Sequence, residues 1–317
     1  MKFIDLFSGI GGFRLALEKN KCECVFSSEI DKYARETYKL NFNDYPYGDI
    51  TKIHHDDIPD HDILCAGFPC QPFSQAGKRL GFNDARGTLF FEVLKILKYK
   101  QPKAFILENV SGIVNHDNGK TLEVIVNLLK DAGYKISWKV LNSKHYGVPQ
   151  NRNRWYCVGV LKKFNIIDIE EVFPKSSKLS YYLDEVISPI KSNHYQISEV
   201  AIKNVKKHID TFKKKNKNNE HIIIANNIRP SKVSFSANGI SPCLTAKMGT
   251  GGNNVPVIVK WKRKLTEKEC LKLMGFPDDF IIKENYSQSY KQIGNSIVVP
   301  IVEKISNNLI ERLNNIK

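Results

Sequence analysis

The sequence predicts an α/β fold, a doubly wound and mostly parallel sheet that carries a smaller inserted domain. In the first half of the chain, short apolar runs alternate with segments in which apolar residues recur at helical spacing. Glycines or acidic residues follow directly after these runs. Strands that alternate with helices form a parallel sheet, whose ligands bind beyond the carboxyl ends of the strands.

The predicted strands of the first half are short and apolar. They are KFIDLF (2–7), CECVFSSE (22–29), DILCAG (62–67) and KAFILEN (103–109). Apolar residues at helical spacing predict a helix after the first strand, another over TLFFEVLKILK (88–98) and a third around residues 122–129.

The second half begins with a segment that lacks this alternation. Residues from about 175 to 262 are rich in Lys, Asn, Ser and Gly, which predicts an inserted smaller domain with loops. Beyond it, Thr266 and Glu269 form a capping-box pattern and predict a helix that ends at Gly275. In YKQIGNSIVVPIVEKI (290–305), a Gly-Asn-Ser turn is expected to lead into an amphipathic helix.

The composition is that of a soluble globular protein. The 317 residues are 42% hydrophobic and 26% charged, which suits one large domain and a smaller one. Without a long apolar run or a signal peptide, we expect neither a membrane span nor secretion. The seven cysteines show no CxxC spacing, which favours reduced thiols in the cytoplasm over a disulfide framework or a zinc site.

The chain is strongly basic, with a formal net charge of +15. The charge is uneven, because lysines crowd the segment from Lys191 to His221, which contains KKHIDTFKKKNK. Such a run is either a solvated helix face or a surface for a nucleic acid, and the second interpretation needs a site elsewhere that acts on one.

The predicted strands end in residues that suit ligand binding. These are Gly9, Gly11 and Gly12 after the first strand, Glu29 at the second, Gly67 and Cys70 after the third, and Glu108 with Asn109 at the fourth. Glycines let the backbone approach a ligand, and an acid about twenty residues later accepts hydrogen bonds from ribose hydroxyls. Arg14 replaces the third glycine of a dinucleotide motif, so a nucleoside cofactor without a pyrophosphate fits better than NAD.

Two other polar features leave alternatives open. Cys70 in AGFPCQPFSQAGK (66–78) lies past Pro69, where the strand has ended, and is either a chance cysteine in a turn or an exposed reactive thiol. Arg152 and Arg154 in QNRNR (150–154) point the same way if that segment is extended, either on a plain surface strand or in a site.

Six motifs together resemble a known family. The ordered set DLFSGIGG, GFPCQPFS, ILENV, QNRNR, RKLTEKECLKLMGFP and QIGNS is similar to that of the bacterial cytosine-C5 DNA methyltransferases of the restriction-modification type. The resemblance covers nearly the whole chain apart from the insert. It implies a Rossmann-like fold dependent on S-adenosylmethionine, and methyl transfer to C5 of a flipped-out cytosine in duplex DNA.

The resemblance assigns catalytic roles. Cys70 would be the nucleophile that adds to C6 of the cytosine, and Glu108 would hydrogen-bond or protonate N3 and contact the amino group. Arg154 resembles the residue that contacts the base O2, with Arg152 beside it as support, and Asn109 completes the set. No metal is implied.

The resemblance also assigns the cofactor pocket for S-adenosylmethionine. Its residues would be Phe7, Gly9, Gly11, Glu29 on the ribose, Ile30, Asp49 and Ile50 near the adenine, Gly67 and Pro69 at the methionine end, Leu89, and Asn295 and Ser296 from the C-terminal part. For DNA it points to Ser74, Gln75, Lys78 and Thr245, the last in the recognition signature ISPCLTAKMGTGGNN. It does not fix the DNA sequence that is read.

The implied organisation has three parts. Residues 1–182 and 286–317 would form the catalytic and cofactor-binding domain, 183–262 the target-recognition domain and 263–285 a connecting segment. The implied partner is double-stranded DNA, with no membrane and no stable protein partner. The enzyme would act as a monomer, and a cognate restriction endonuclease would be a functional rather than a physical partner.

Three other functions are weighed against this one. A nicotinamide oxidoreductase would need the missing third glycine and has no use for Cys70. A DNA-binding module without activity would explain the charge, but not Cys70, Glu108 and Glu29 at strand ends. Methylation of cytosine in RNA uses identical chemistry, and the size of the insert favours duplex DNA over it.

Overall fold

The computed structural model describes residues 1–69, 89–165, 168–218, 220–250, 254–284 and 286–315. The chain forms two compact units. The first consists of Met1–Leu141, Asn153–Lys175 and Ile301–Lys317, and the second of Asn142–Arg152 and Ser176–Pro300. Because these units are defined by packing alone, the division into catalytic, target-recognition and connecting segments stays a prediction.

The first unit is built on a six-stranded sheet. Its strands are β1 (Lys2–Leu6), β2 (Glu23–Ser28), β3 (Ile63–Gly67), β4 (Ala104–Val110), β5 (Tyr134–Asn142) and β6 (Asn153–Leu161). They lie in the order β2-β1-β3-β4-β6-β5. The strands β1 to β4 pair in parallel and confirm the four predicted strands, whereas β6 runs antiparallel to β4. The sheet is therefore mixed, and the sequence did not identify β5 and β6 as strands.

The register of the parallel strands brings their carboxyl ends together. Leu6 pairs with Ser28 on one side and with Ala66 on the other, and Gly67 pairs with Glu108. The loops that follow β1, β2 and β3 therefore leave the sheet at one edge, beside the end of β4. This is the edge at which a doubly wound sheet binds its ligands.

Helices pack on this sheet in the first unit. They are α1 (Gly12–Lys19), α2 (Lys32–Phe42), α3 (Leu89–Lys100), α4 (Lys120–Asp131) and α9 (Val299–Asn314), whose first two residues belong to the second unit. The predicted apolar stripe of α3, which includes Phe90, Val93 and Leu97, is buried. These side chains join Leu64 and Leu107 of the sheet in one hydrophobic core.

The second unit contains an antiparallel sheet of short strands. Its elements are β7 (Ile224–Asn226), β8 (Ser234–Ser236), β9 (Val257–Ile258), β10 (Arg263–Lys264), α5 (Leu183–Val186), α6 (Glu199–Lys215), α7 (Glu267–Lys272) and α8 (Ser287–Asn295). The strands lie in the order β10-β9-β7-β8. One face of α6, with Ala201 and Val205, packs on Ala225 and Val257 of this sheet.

The capping box and the turn predicted from the sequence of the C-terminal part are confirmed only in part. The Thr266 hydroxyl accepts a hydrogen bond from the Glu269 N–H at 3.1 Å, and the Glu269 carboxylate accepts one from the Thr266 N–H at 2.8 Å, so the capping box is present. The expectation that a turn opens the segment at 290–305 is wrong. Helix α8 already covers this segment up to Asn295, and a second helix, α9, begins at Val299.

Pro300 explains why a new helix begins there. It is the second residue of α9, where the missing N–H of proline removes no intrahelical hydrogen bond. Among the helices of the described residues, none is both long enough and apolar enough to cross a membrane.

Candidate active site

Glu29 links the loops that follow β1 and β2. Its carboxylate accepts hydrogen bonds from the N–H of Gly9 at 2.9 Å and from the N–H of Asp31 at 2.8 Å. Burial raises the pKa of Glu29, and these two N–H groups oppose that rise because they favour the ionised form. The structure thus brings together two of the predicted cofactor residues, with an acidic acceptor at the sheet edge.

Gly9 and Gly11, which follow β1, are required for different structural reasons. Both are left-handed, with φ of +54° at Gly9 and +87° at Gly11. A Cβ on Gly9 would meet no atom within 4 Å, whereas a Cβ on Gly11 would overlap the Phe42 ring. Gly9 therefore leaves open space in front of its backbone, and Gly11 allows α1 to pack closely on α2. Phe7 precedes them and is also left-handed, with a φ of 56°.

Arg14, at the position of a third glycine, has a role in packing. Its guanidinium lies 2.6 Å from Glu18 and 2.7 Å from Asp44, and it donates to the Tyr38 hydroxyl at 3.1 Å. The long side chain is therefore held between α1, α2 and the loop after α2. A glycine here in a dinucleotide site would instead allow close packing of helix and strand.

The YGDI segment lies beside the end of β2. The Glu29 N–H donates to the Tyr47 carbonyl at 2.8 Å, which places Asp49 close in sequence to that contact. The Asp49 carboxylate accepts from the N–H and the hydroxyl of Thr51, and these bonds hold the pKa of Asp49 below its usual range. Ile30 is 70% exposed, while Ile50 is buried in the hydrophobic core.

The end of β3 is held by Asn109. Its side-chain amide donates to the Phe68 carbonyl at 2.9 Å, and its amide oxygen accepts from the Val110 N–H at 2.8 Å. Asn109 is buried, whereas Pro69 is exposed. Asn109 therefore fixes the backbone just before the segment that begins with residue 70. Four predicted site residues lie outside the described residues: Cys70, Ser74, Gln75 and Lys78.

Glu108 and Arg154 meet across two neighbouring strands. Glu108 lies on β4 opposite Tyr156 of β6, and Arg154 lies two residues before that tyrosine. The Arg154 Nε atom is 3.1 Å from the Glu108 carboxylate, and the two side chains are 13% and 10% exposed. A half-buried cation and a buried carboxylate at the ligand-binding edge form a group that can bind a polar base.

Arg152 has other partners, in the second unit. It is 1% exposed, and its guanidinium donates to the carbonyls of Leu244, Gly294 and Ser296. The family resemblance gave Arg152 the role of a support beside Arg154. In the structure, its donors instead bind the backbone carbonyls of a loop, at Leu244, and of the C-terminal end of helix α8, at Gly294 and Ser296.

Nearly the whole chain matches one family of enzymes. The model of C-5 cytosine-specific DNA methylases matches residues 1–311. The chain belongs to this family. It is a DNA cytosine-C5 methyltransferase, and an RNA substrate is not favoured because the family acts on DNA.

Two curated relatives of this methylase align over nine-tenths or more of their length. It is 41% identical over 321 residues to the Type II methyltransferase M.HhaI of Haemophilus parahaemolyticus, covering 99% of this chain and 95% of the relative. It is 44% identical over 307 residues to the Type II methyltransferase M.NgoBI of Neisseria gonorrhoeae, covering 95% and 90%.

Solved structures share the fold of this methylase. One is a putative DNA modification methyltransferase encoded within a prophage of E. coli, with a TM-score of 0.74 at 22% identity, covering 99% of this chain and 100% of that chain. Another is the Dnmt2 methyltransferase of S. pombe, with a TM-score of 0.74 at 21% identity and 99% coverage of both chains. The fold is thus the Rossmann-like fold of C5 methyltransferases.

The remaining predicted residues differ in their exposure to solvent. Thr245 and Asn295 are exposed in the second unit, Ser296 is buried, and Leu89 is the first residue of α3. Among the described residues, no group of three or more His, Cys, Asp or Glu side chains is arranged to hold a metal ion.

Sequence reasoning missed two residues of this methylase. Gln150 is fully buried, donates to the Leu273 carbonyl at 2.7 Å and accepts from the Leu244 N–H at 3.0 Å. Gly294 lies against the backbone of Thr245, where a Cβ would overlap the carbonyl group. Both lie inside motifs that the sequence singled out for other residues, so their presence in QNRNR and QIGNS was the available signal.

Proposed function

We propose that this methylase transfers the methyl group of S-adenosylmethionine to C5 of a cytosine flipped out of duplex DNA, as the modification enzyme of a restriction-modification system. The observation that supports the mechanism best is the ion pair of Glu108 and Arg154, next to the strand end that leads to residue 70. The printed names of the relatives, Type II methyltransferases, support the role in modification.

Cys70 supplies the covalent step of this proposal. C5 of cytosine is a poor nucleophile, and addition of the Cys70 thiolate to C6 forms an S–C6 bond and moves electron density to C5. C5 then gains its methyl group from S-adenosylmethionine, which leaves as S-adenosylhomocysteine. Loss of the C5 proton to a base then re-forms the C5–C6 double bond and expels the thiolate. A free thiol has a pKa of about 8.5, so the basic surroundings of the site must favour its ionisation.

Glu108 and Arg154 bind the base in this mechanism. Negative charge develops on the ring when the thiolate adds, and Glu108, once it has taken up a proton, offsets this charge by giving the proton or a hydrogen bond to N3. Arg154, which lies on the neighbouring strand β6, donates to the base O2. Their contact at 3.1 Å keeps both side chains in place before the base arrives. Preorganised groups of this kind stabilise developing charge without rearranging during the reaction.

The residues after β1 and β2 fit S-adenosylmethionine. The open space at Gly9 admits a ligand close to the backbone, and Glu29 can accept hydrogen bonds from ribose hydroxyls. When bound, this cofactor supplies an electrophilic methyl group on a sulfonium. In our proposal, five further residues border the same edge of the sheet: Phe7, Ile30, Asp49, Gly67 and Pro69. Gly11 and Ile50 act indirectly, through the packing of the segments that surround the cofactor. Leu89 is the first residue of the neighbouring helix α3.

In this proposal the second unit contacts the DNA, in addition to the contacts assigned to Ser74, Gln75 and Lys78. A stacked cytosine hides C6, so the base must leave the helix at a cost of a few kcal/mol. Thr245 is exposed for contact with DNA, and the exposed lysines of α6 suit the phosphate backbone. The methylase acts on duplex DNA as a monomer, with a cognate endonuclease as its functional partner.

A mechanism-based trap tests the covalent step. With 5-fluorocytosine at the target position, Cys70 adds at C6 and the methyl group transfers, but fluorine cannot leave C5 as a cation. Protein and DNA therefore stay joined. We expect an adduct that survives denaturation, requires S-adenosylmethionine and maps by mass spectrometry to the peptide that contains Cys70.

Variants assign the groups in this experiment. Cys70→Ser should form no adduct, because a hydroxyl is a far weaker nucleophile at neutral pH. Glu108→Gln should form it much more slowly, since an amide cannot donate the same proton. Cys24→Ser, a matched change at a half-buried thiol of β2, should form it as the wild type does. An adduct on another cysteine would overturn the proposed role of Cys70.

The substrate is tested in a host that expresses the chain. Bisulfite sequencing of the host DNA should show 5-methylcytosine at one short repeated sequence. DNA without the modification, in cells that contain the folded protein, would overturn the proposed role in DNA modification.

A further inference from the structure

Two exposed residues of the second unit are carried by buried backbone. Thr245 follows Leu244, which is fully buried, and Asn295 lies between Gly294 and Ser296, which are buried. The family resemblance assigns Thr245 to DNA binding and Asn295 to S-adenosylmethionine binding, and our proposal keeps both roles. The buried residues beside them therefore decide where both side chains lie.

The Arg152 guanidinium holds both backbones at once. One of its terminal nitrogens donates to the Leu244 carbonyl, and the other donates to the carbonyls of Gly294 at 3.1 Å and Ser296 at 2.6 Å. A guanidinium is planar and presents its N–H groups in a fixed geometry. Carbonyls that bind to the two ends of one plane cannot move independently without breaking a hydrogen bond to a buried cation.

Gly294 and Gln150 complete the same contact. The backbone of Gly294 lies so close to the peptide between Thr245 and Ala246 that a Cβ there would overlap it. The Gln150 side chain accepts from the Leu244 N–H at 3.0 Å and donates to the Leu273 carbonyl at 2.7 Å. The loop that bears Thr245 is thus held against α8 by direct backbone packing. Hydrogen bonds between the Leu244 backbone and the side chains of Gln150 and Arg152 hold it as well.

Burial argues against direct contact between Arg152 and the base. The residue is 1% exposed, and contact with a base would require it to give up hydrogen bonds to three carbonyls. A buried cation without its partners is strongly unfavourable, so such an exchange is costly. The Arg152 guanidinium therefore binds backbone carbonyls rather than the substrate.

We infer that Arg152 is a positioning residue that couples DNA binding at Thr245 to cofactor binding at Asn295. This inference rests on the proposed function for these two residues. A ligand that orders one segment orders the other through the shared guanidinium, so each ligand strengthens the binding of the other. Such coupling is reciprocal, because it is one free energy measured from either side.

The experiment measures this coupling directly. The Kd of S-adenosylhomocysteine is determined by calorimetry with and without a saturating cognate duplex, for the wild type and for Arg152→Met. The wild type should bind the product more tightly with DNA, by a factor within the usual range of about 5 to 150 for coupled sites. In Arg152→Met this factor should fall to about 1. Arg152→Lys should retain part of it, since one ammonium has fewer donors for the three carbonyls.

Controls separate coupling from general stability. Arg312→Met removes an arginine of α9 that also bonds a carbonyl and a carboxylate, and it should leave the factor unchanged. Gly294→Ala intrudes on the Thr245 peptide and should lower the factor with Arg152 intact, whereas Gly112→Ala, where a Cβ meets no atom within 4 Å, should not. These variants keep the test available if Arg152→Met fails to fold.

The outcomes distinguish the inference from the function beneath it. A wild type that binds neither DNA nor product would overturn the proposed function. A wild type that methylates DNA but shows no coupling, or an Arg152→Met protein whose folded fraction keeps the full factor, would overturn the inference and leave the proposed function intact.

Discussion

At the scale of single residues, Glu108 and Arg154 show how distant parts of the sequence form one group. They come from different motifs, and the antiparallel pairing of β4 and β6 brings the carboxylate and the guanidinium to 3.1 Å. Arg152, two positions away, bonds carbonyls of the second unit instead. An alternating pattern assigns side chains to faces only within one regular strand, and β6 begins at Asn153, after Arg152.

Glu29 should make cofactor binding depend on pH. Burial raises its pKa above the usual range in the free protein, and hydrogen bonds from ribose hydroxyls would favour the carboxylate and lower that pKa in the complex. Binding then releases a proton between the two pKa values. The affinity for S-adenosylhomocysteine should therefore rise with pH between the pKa of the complex and that of the free protein, and level off once the free carboxyl is ionised, as measured by calorimetry.

Two variants assign this pH dependence to Glu29. Glu29→Gln should bind more weakly and without the slope. Asp5 is a second buried acid nearby, whose pKa burial raises well above its usual range, so Asp5→Asn should keep the slope if Glu29 is its source. The slope surviving in Glu29→Gln would show that another group titrates.

At the scale of elements, the sequence predicted strands where apolar runs end in glycines or acids. The strands β1, β3 and β4 are buried along most of their length, and β2 is buried along its second half, so their apolar composition identifies them. Strand β5 is different, because most of its residues are exposed or half-buried and its sequence YKISWKVLN has no clean alternation. The sequence did not predict helix α8, because Gly294 suits a turn. In the structure Gly294 lies in this helix, where the Thr245 backbone packs against it.

Helix α6 carries a prediction about phosphate contacts. Lys213, Lys214 and Lys215 are exposed in its last turn. If they contact phosphates, their change to Gln should weaken DNA binding on all sequences alike. The slope of log K against log salt should fall by about 0.9 for each phosphate contact that is lost. Fluorescence anisotropy at several salt concentrations measures this.

A matched triple variant controls for net charge. Lys130, Lys135 and Lys162 are also exposed, but border a cavity in the first unit at the edge where β4 begins. Their change to Gln removes the same charge and should leave the salt slope unchanged. Equal effects of both triples would show that α6 acts only through the overall field of the protein.

At the scale of the whole molecule, the sequence predicted that the chain crosses between a large domain and an insert. It could not show that Asn142–Arg152 packs with the second unit, because this short segment precedes β6 without any change in composition. Residues 263–300 also belong to that unit. Their hydrogen bonds to Gln150 and Arg152 decide this, and such contacts leave no periodic pattern.

The last prediction concerns the source of sequence specificity. If residues 183–262 read the bases, exchanging them for the corresponding segment of a relative with another target should change the methylated sequence, as seen by bisulfite sequencing. The affinity for S-adenosylhomocysteine without DNA should stay the same, because Gly9 and Glu29 belong to the first unit. The transplanted segment must keep a residue at position 244 whose carbonyl accepts from Arg152 and a backbone that fits against Gly294.

A narrower exchange places the boundary of recognition. Replacing only residues 183–240 leaves the loop of Leu244 and Thr245 with its native partners. A changed target in this variant would place base reading before that loop, and a changed target only in the longer exchange would place it in the loop. An unchanged target in both, with methylation retained, would contradict the assignment of recognition to 183–262, and would move it to the parts of the chain that were not exchanged.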